Sequence, residues 1–164
     1  MKKALVILLT LILTVCLFAG CKHQPAPSIP DLAYSAEEMM DLVKEKASLN
    51  LSNYSFKVSD EGGFICSGIR SVDLVEEDAV MCEPDFGGGF SITMVKVKNA
   101  ADAEKIRDEM NANLDTGKWI CMFAEHLTVT VNGRYVMSVM TSEAECERIS
   151  QAFADVYAEV TEAK

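Results

Sequence analysis

The chain has 164 residues, with 15 Lys+Arg against 25 Asp+Glu and 49% hydrophobic residues. That length fits one domain. The net charge of −10 excludes a protein built around a basic nucleic-acid face, and an apolar fraction near half excludes a disordered chain.

Met1-Lys2-Lys3 is a short basic start, and from Ala4 to Phe18 only Thr10 and Thr14 are polar. A helix needs roughly 20 apolar residues to cross a bilayer, so this shorter run reads as an export signal rather than a membrane span. It ends in Leu17-Phe18-Ala19-Gly20-Cys21, which resembles the lipobox of bacterial lipoproteins. The resemblance implies cleavage after Gly20 and a diacylglyceryl group on the Cys21 thiol, with Phe18 standing where Leu is usual. Two acyl chains anchor a protein stably where one holds it only marginally. The expected location is the extracytoplasmic face of the cell membrane, with the membrane itself as a partner through the lipid. Losing Lys2 and Lys3 with the signal takes the charge from −10 to −12. Residues 22–34 carry Pro25, Pro27 and Pro30 without periodicity. Proline favours extended polyproline II, so residues 21–34 read as a semi-rigid tether reaching up to roughly 40 Å.

The remainder, residues 35–164, reads as one domain. Ser35-Ala36-Glu37-Glu38 is a capping box, and Met39, Leu42, Val43 and Ala47 follow at helical spacing, predicting a helix over 35–48. Tyr54, Phe56 and Val58 alternate with polar residues and predict a strand. Phe64-Ile65-Cys66 predicts a second short strand, residues 71–78 a turn of helix, and Ala79-Val80-Met81-Cys82 a buried strand stopped by Pro84. Residues 91–98 alternate as a strand, with Ile92, Met94, Lys96 and Lys98 on one face and Val95 and Val97 on the other. Asn99 can cap a helix whose stripe is Ala103, Ile106, Met110 and Leu114. Leu127-Val129-Val131 and Tyr135-Met137-Val139 flank Asn132-Gly133 as a two-residue hairpin. Ser142-Glu143-Ala144-Glu145 is a second capping box, opening a helix with Cys146, Ile149, Phe153, Val156 or Tyr157, and Val160 inward. The expected fold is α+β: a two-layer arrangement of an antiparallel sheet with helices packed on one face.

Three segments, VDLVEEDAVMCEP, ITMVKVKNAADAEKI and YVMSVMTSEAECERISQAF, lie within about residues 70–160. They resemble a family of small lipid-anchored proteins of Gram-positive bacteria known only as a domain of unknown function. The resemblance implies an extracytoplasmic lipoprotein setting and brings no catalytic residues with it.

Four cysteines remain beyond Cys16 and Cys21: Cys66, Cys82, Cys121 and Cys146. An even number outside the cytoplasm permits disulfides, and apolar neighbours around Cys82 and Cys146 equally permit buried free thiols. The closest spacing is Cys66 to Cys82, so no C-x-x-C redox or zinc motif is present. Met and Cys together are a soft set suited to Cu(I), but Met39, Met94 and Met110 fall on core stripes. Cys121 with His126 is a conceivable thiol–base pair, and no G-x-S-x-G supports a serine hydrolase. Phe86-Gly87-Gly88-Gly89-Phe90 lacks the G-K-[ST] of a phosphate loop and reads as an aromatic-flanked connection that could touch a ligand or partner. No cofactor or metal is expected. The expected function is a membrane-anchored, non-enzymatic domain that binds a protein or small-molecule partner. The alternative is a redox or metal-handling lipoprotein using the four cysteines.

Overall fold

Ser35 starts the first helix as its neighbours predict. In the computed structural model, which describes residues 32–84 and 88–163, its Oγ accepts the Glu38 N–H at 3.1 Å and Glu38 Oε2 accepts the Ser35 N–H at 2.7 Å. The expected signal, the Cys21 lipid site and most of the tether lie outside the described residues. Helix α1 (Ala36–Lys46) buries Ala36, Met39, Met40 and Val43. Strand β1 (Asn53–Lys57) pairs antiparallel with β2 (Asp78–Cys82).

Phe64-Ile65-Cys66, expected as a strand, instead lies in a short helix, α2 (Gly63–Ser67). Three apolar residues cannot tell the two forms apart by periodicity. Two glycines decide it. A Cβ on Gly63 would sit 2.3 Å from the Val58 carbonyl oxygen, so the chain can turn back here only without a side chain. Gly68, at φ 71°, ends the helix with its N–H bonded to the Phe64 carbonyl. The expected helical turn is a 3-10 turn at Val72–Leu74.

Strand β3 (Ser91–Lys96) leads to α3 (Ala103–Asn113), where the Asn99 side chain accepts the Ala101 N–H and a 3-10 turn precedes the helix. Strands β4 (His126–Asn132) and β5 (Tyr135–Thr141) form the expected hairpin, shifted by one residue. Asn132 pairs with Tyr135, so the turn residues are Gly133-Arg134 rather than Asn132-Gly133. A φ of 60° at Gly133, with none positive at Arg134, is the type II′ pattern, which needs glycine first. Ser142 caps α4 (Glu143–Glu162) through the Glu145 N–H, but the Glu145 carboxylate turns to Arg148.

The sheet order is β1-β2-β3-β5-β4, all antiparallel, and the α+β class is as expected from the sequence. It carries one helical layer more than expected, because the helices divide between both faces. α1 and α4 cover Val80, Cys82, Ile92, Met94, Tyr135, Met137 and Val139. α3 covers Ala79, Val95, Val97, Val136 and Met140. The reason is that every residue of β3, and Tyr135–Met140 of β5, is buried, so both sides need a roof. Among the described residues no helix is long and apolar enough to cross a membrane.

Two polar anchors fix this frame. Lys96, on the strand face shared with Ile92 and Met94, is buried despite its charge, and its Nζ donates to the carbonyls of Leu32 (3.1 Å) and Tyr34 (2.9 Å). On the other face, Glu109 of α3 accepts from the Arg70 N–H, the Ser71 N–H and Ser71 Oγ at 2.9, 2.9 and 2.6 Å. Partial burial pushes the Glu109 carboxyl up, but these three donors outweigh it and hold the carboxyl below its ordinary range. A lowered folded-state value stabilises above the unfolded value of about 4.3, and that stabilisation is lost as pH falls through the folded value. Glu109→Gln is therefore expected to cost about 1 kcal/mol near neutral pH. Its unfolding curve should converge on that of the unaltered protein below about pH 4. Urea unfolding across pH checks this; a gap that stays constant into acid would contradict it.

Candidate functional site

The most unusual chemistry lies on the α3 side of the sheet, at the end that α3 leaves uncovered. Strand register puts Tyr54, Met81, Thr93, Ser138 and Val129 in one row across the five strands. Ser91, Thr93 and Ser138 are completely buried polar residues, unusual for the centre of a sheet. Thr93 Oγ1 donates to the Cys66 carbonyl of α2 at 3.0 Å, so α2 roofs part of this row.

The rest of the roof is the segment between α3 and β4. Asp115 Oδ1 accepts the Gly117 N–H at 2.8 Å, and the Ala124 N–H bonds to the Thr116 carbonyl at 2.8 Å, closing the loop on itself. Lys118 reaches down from it. Its side chain is 9% exposed, and its Nζ lies 3.2 Å from Ser91 Oγ, 3.5 Å from Met81 Sδ and 3.6 Å from Glu83 Oε2. Trp119 donates its indole N–H to the same Glu83 oxygen at 3.4 Å, and Lys118 Nζ sits 5.0 Å from the Trp119 ring centre. Lys118, Trp119 and Glu83 thus lock the loop to β2 and β3. A cleft of about 300 Å³, lined by Asn53, Tyr54, Met81, Glu83 and Pro84, opens beside this cluster.

Beyond the lock the loop turns sharply. Trp119 and Met122 form an isolated β-bridge, with Cys121 at φ 64° between them. The left-handed conformation is costly for a residue with a Cβ, so the tip is held there by its base. It presents Ile120 at 92% exposure and Phe123 at 75%, with Met122 also exposed. The glycine segment supports it from beneath. Gly89, at φ 69°, lies so close to Phe123 that a Cβ would meet its carbonyl oxygen at 2.5 Å. Gly89 therefore meets the loop, Gly88 faces open space, and Phe90 is half-buried and packs on the α1–α4 core. Phe86 and Gly87 lie outside the described residues.

The four cysteines are separate free thiols: Cys82 and Cys146 buried, Cys66 half-buried, Cys121 exposed. Burial pushes the Cys82 thiol up to about 11 and raises Cys66 and Cys146 as well, with Lys118 partly offsetting the effect at Cys66. A raised thiol stays protonated near neutral pH and is a poor nucleophile and metal ligand. Alkylation without reductant is expected to label Cys121 first, Cys66 more slowly, and Cys82 and Cys146 only after unfolding. Peptide mass spectrometry over a time course checks that order; rapid labelling of Cys82 in folded protein would contradict it. His126, at the head of β4, is exposed. Among the described residues no three His, Cys, Asp or Glu side chains converge where they could hold a metal ion.

The sequence pointed to Cys66, Cys121 and Gly89 but passed over Lys118, Trp119, Glu83 and Ser91. The available signal was Trp119-Ile120-Cys121-Met122-Phe123-Ala124, six apolar residues in a row after a helix end, too short for a helix and without alternation. No protein-family model matches this chain, and neither a curated protein nor a solved structure shows significant similarity to it.

Proposed function

We propose that the chain is a lipoprotein anchored through Cys21 at the extracytoplasmic face of the membrane, and that its domain is a non-enzymatic binding module. The anchoring half rests on the Leu17–Cys21 segment and its resemblance to a lipobox, and on the likeness to small Gram-positive lipoproteins. The binding half rests on one observation: Ile120 and Phe123 are held out in solvent by a loop that is locked at its base. Large apolar side chains kept in water by ordered structure mark interaction sites more often than accidents of packing. The Lys118–Glu83 pair and the adjoining cleft give that surface a polar floor.

The alternative, thiol redox or metal handling, has less support. Three of the four thiols are raised by burial, and the exposed Cys121 has no second cysteine assigned to it.

Two measurements test the proposal separately. Palmitate labelling of cells expressing the chain should depend on Cys21 and vanish in Cys21→Ser; persistent labelling would refute the anchor. A photoreactive side chain at position 123 should give one discrete adduct in intact cells, abolished by Ile120→Asp. Adducts indifferent to Ile120→Asp would refute the loop as the binding surface.

A further inference from the structure

Sheets end in two strands whose outer backbone groups lack partners, and proteins normally blunt such edges with lysine, proline, bulges or a covering segment. The β1 edge is blunted. It has only five residues, Lys57 pairs with Glu77 and Asp78 at its end, and Ser55 Oγ donates to Glu37 across its middle. The β4 edge is not. Its seven residues, His126-Leu127-Thr128-Val129-Thr130-Val131-Asn132, contain no formal charge at neutral pH, no proline and no glycine. Its pairing to β5 is continuous from His126 to Asn132, without a bulge. Among the described residues, 127–132 make no backbone hydrogen bonds except within that ladder. They are half-buried, whereas the partner residues Tyr135–Met140 are fully buried.

The strand is also complementary to itself. Laid antiparallel against a second copy about Val129, its midpoint, Leu127 faces Val131, Thr128 faces Thr130, and His126 faces Asn132. Leu127, Val129 and Val131 pack toward the α3 side, so alternation leaves Thr128 and Thr130 on the α4 side. Apolar residues therefore meet apolar ones, and threonines meet threonines, the pairings that favour adjacent strands. Such a contact is isologous and closes after two copies.

The helix beside this edge continues the pattern. Arg148 of α4 donates to the Ala47 carbonyl and so marks the flank facing α1. At about 100° per residue, Ser150, Ala154, Tyr157 and Thr161 fall on the opposite flank, next to β4. All four are uncharged and half-buried, which is uncommon on a chain with 25 acidic residues. The hydroxyls of Thr130, Ser150 and Tyr157 are buried without a hydrogen-bond partner among the described residues.

We propose that β4 is the seam of a homodimer, in which two copies join their sheets edge to edge about Val129 to make one continuous ten-stranded sheet. The inference is independent of the loop at Ile120 and Phe123.

Sedimentation equilibrium of the full chain in density-matched detergent is expected to give twice the chain mass, falling to the single mass on dilution. A single mass up to millimolar concentration would overturn the proposal. Val129→Lys places two ammonium groups at the axis and is expected to give monomers, and mixing it with Val129→Glu should restore the dimer. A dimer that survives in Val129→Lys alone would overturn the seam. Hydrogen exchange on the unaltered chain provides a reading that needs no variant. The outward amides of Leu127, Val129 and Val131, which alternate with those already bonded to β5, should become at least tenfold more protected at high than at low concentration; unchanged protection would count decisively against pairing there.

Discussion

Phe153→Ala is expected to lower the free energy of unfolding by about 3 kcal/mol, one of the two largest single-residue effects in the domain. Phe153 is fully buried beneath α4, in the cluster shared with Met39, Met40, Met94, Met137 and Ile149. Removing the ring forfeits its transfer from water and opens a cavity, a combination that costs about 3–5 kcal/mol for phenylalanine. The lower end applies because the surrounding methionines are unbranched and can swing into the space. Phe153→Leu should cost roughly a third as much, since most of the volume is kept. Urea unfolding of the two variants gives both numbers. A loss below about 1 kcal/mol for the alanine variant would mean that Phe153 does not sit in a closed core.

The second is Lys96→Met, expected to cost about 2–3 kcal/mol. Lys96 is 7% exposed along its side chain, yet it is neither isolated nor wasted. Its Nζ holds the Leu32 and Tyr34 carbonyls, lies 3.6 Å from Glu76, and faces the Tyr135 ring at 5.5 Å. Methionine keeps the stem and deletes the charge, leaving two carbonyls short of a donor. Breaking a buried pair costs about 3–5 kcal/mol, and the discount reflects Glu76, which is half-exposed and keeps Arg134 at 2.7 Å. Tyr135→Phe removes a 2.6 Å bond to the Tyr34 carbonyl from the same clamp and should cost about 1 kcal/mol. The diagnostic is local: in Lys96→Met a protease should cut near residues 32–35 under conditions where the rest of the domain resists. Equal resistance there would show that the lysine does not hold the segment.

Much of the frame was legible because its signals are local. The Ser35 capping box, the Asn99 cap, the alternation of Ile92 and Met94, and the stripe of Cys146, Ile149 and Phe153 each act within a few residues. The third layer was harder to see. Ser91, Thr93 and Ser138 look like solvent-facing positions, but they are buried under α2 and the loop after α3, and only long-range packing shows that. The buried Lys96 is hidden for the same reason, since its acceptors lie more than 60 residues away. The candidate site combines both difficulties. Lys118 and Trp119 meet Glu83 across 35 residues or more, and neither spacing nor composition encodes that contact.

The division of the core between two faces has a consequence for how the chain is made. The α3 face draws on residues 58–140, a continuous stretch. The opposite face cannot be finished from one side, because α1 at the start rests against α4 at the end. Arg148 bonds to Ala47 across 101 positions, and Lys46 pairs with Glu159 across 113. Contacts so distant in sequence form late, since the ends must be brought together before anything is gained. A chain emerging from its N-terminus can assemble the α3 half while α1 has only the inner strands β2 and β3 to lie against and no α4 beside it. The cluster that holds Met39, Met40 and Val43 of α1 stays incomplete until the last helix brings Cys146, Ile149 and Phe153. That interval, rather than the finished protein, is when the domain most needs protection from aggregation and proteolysis.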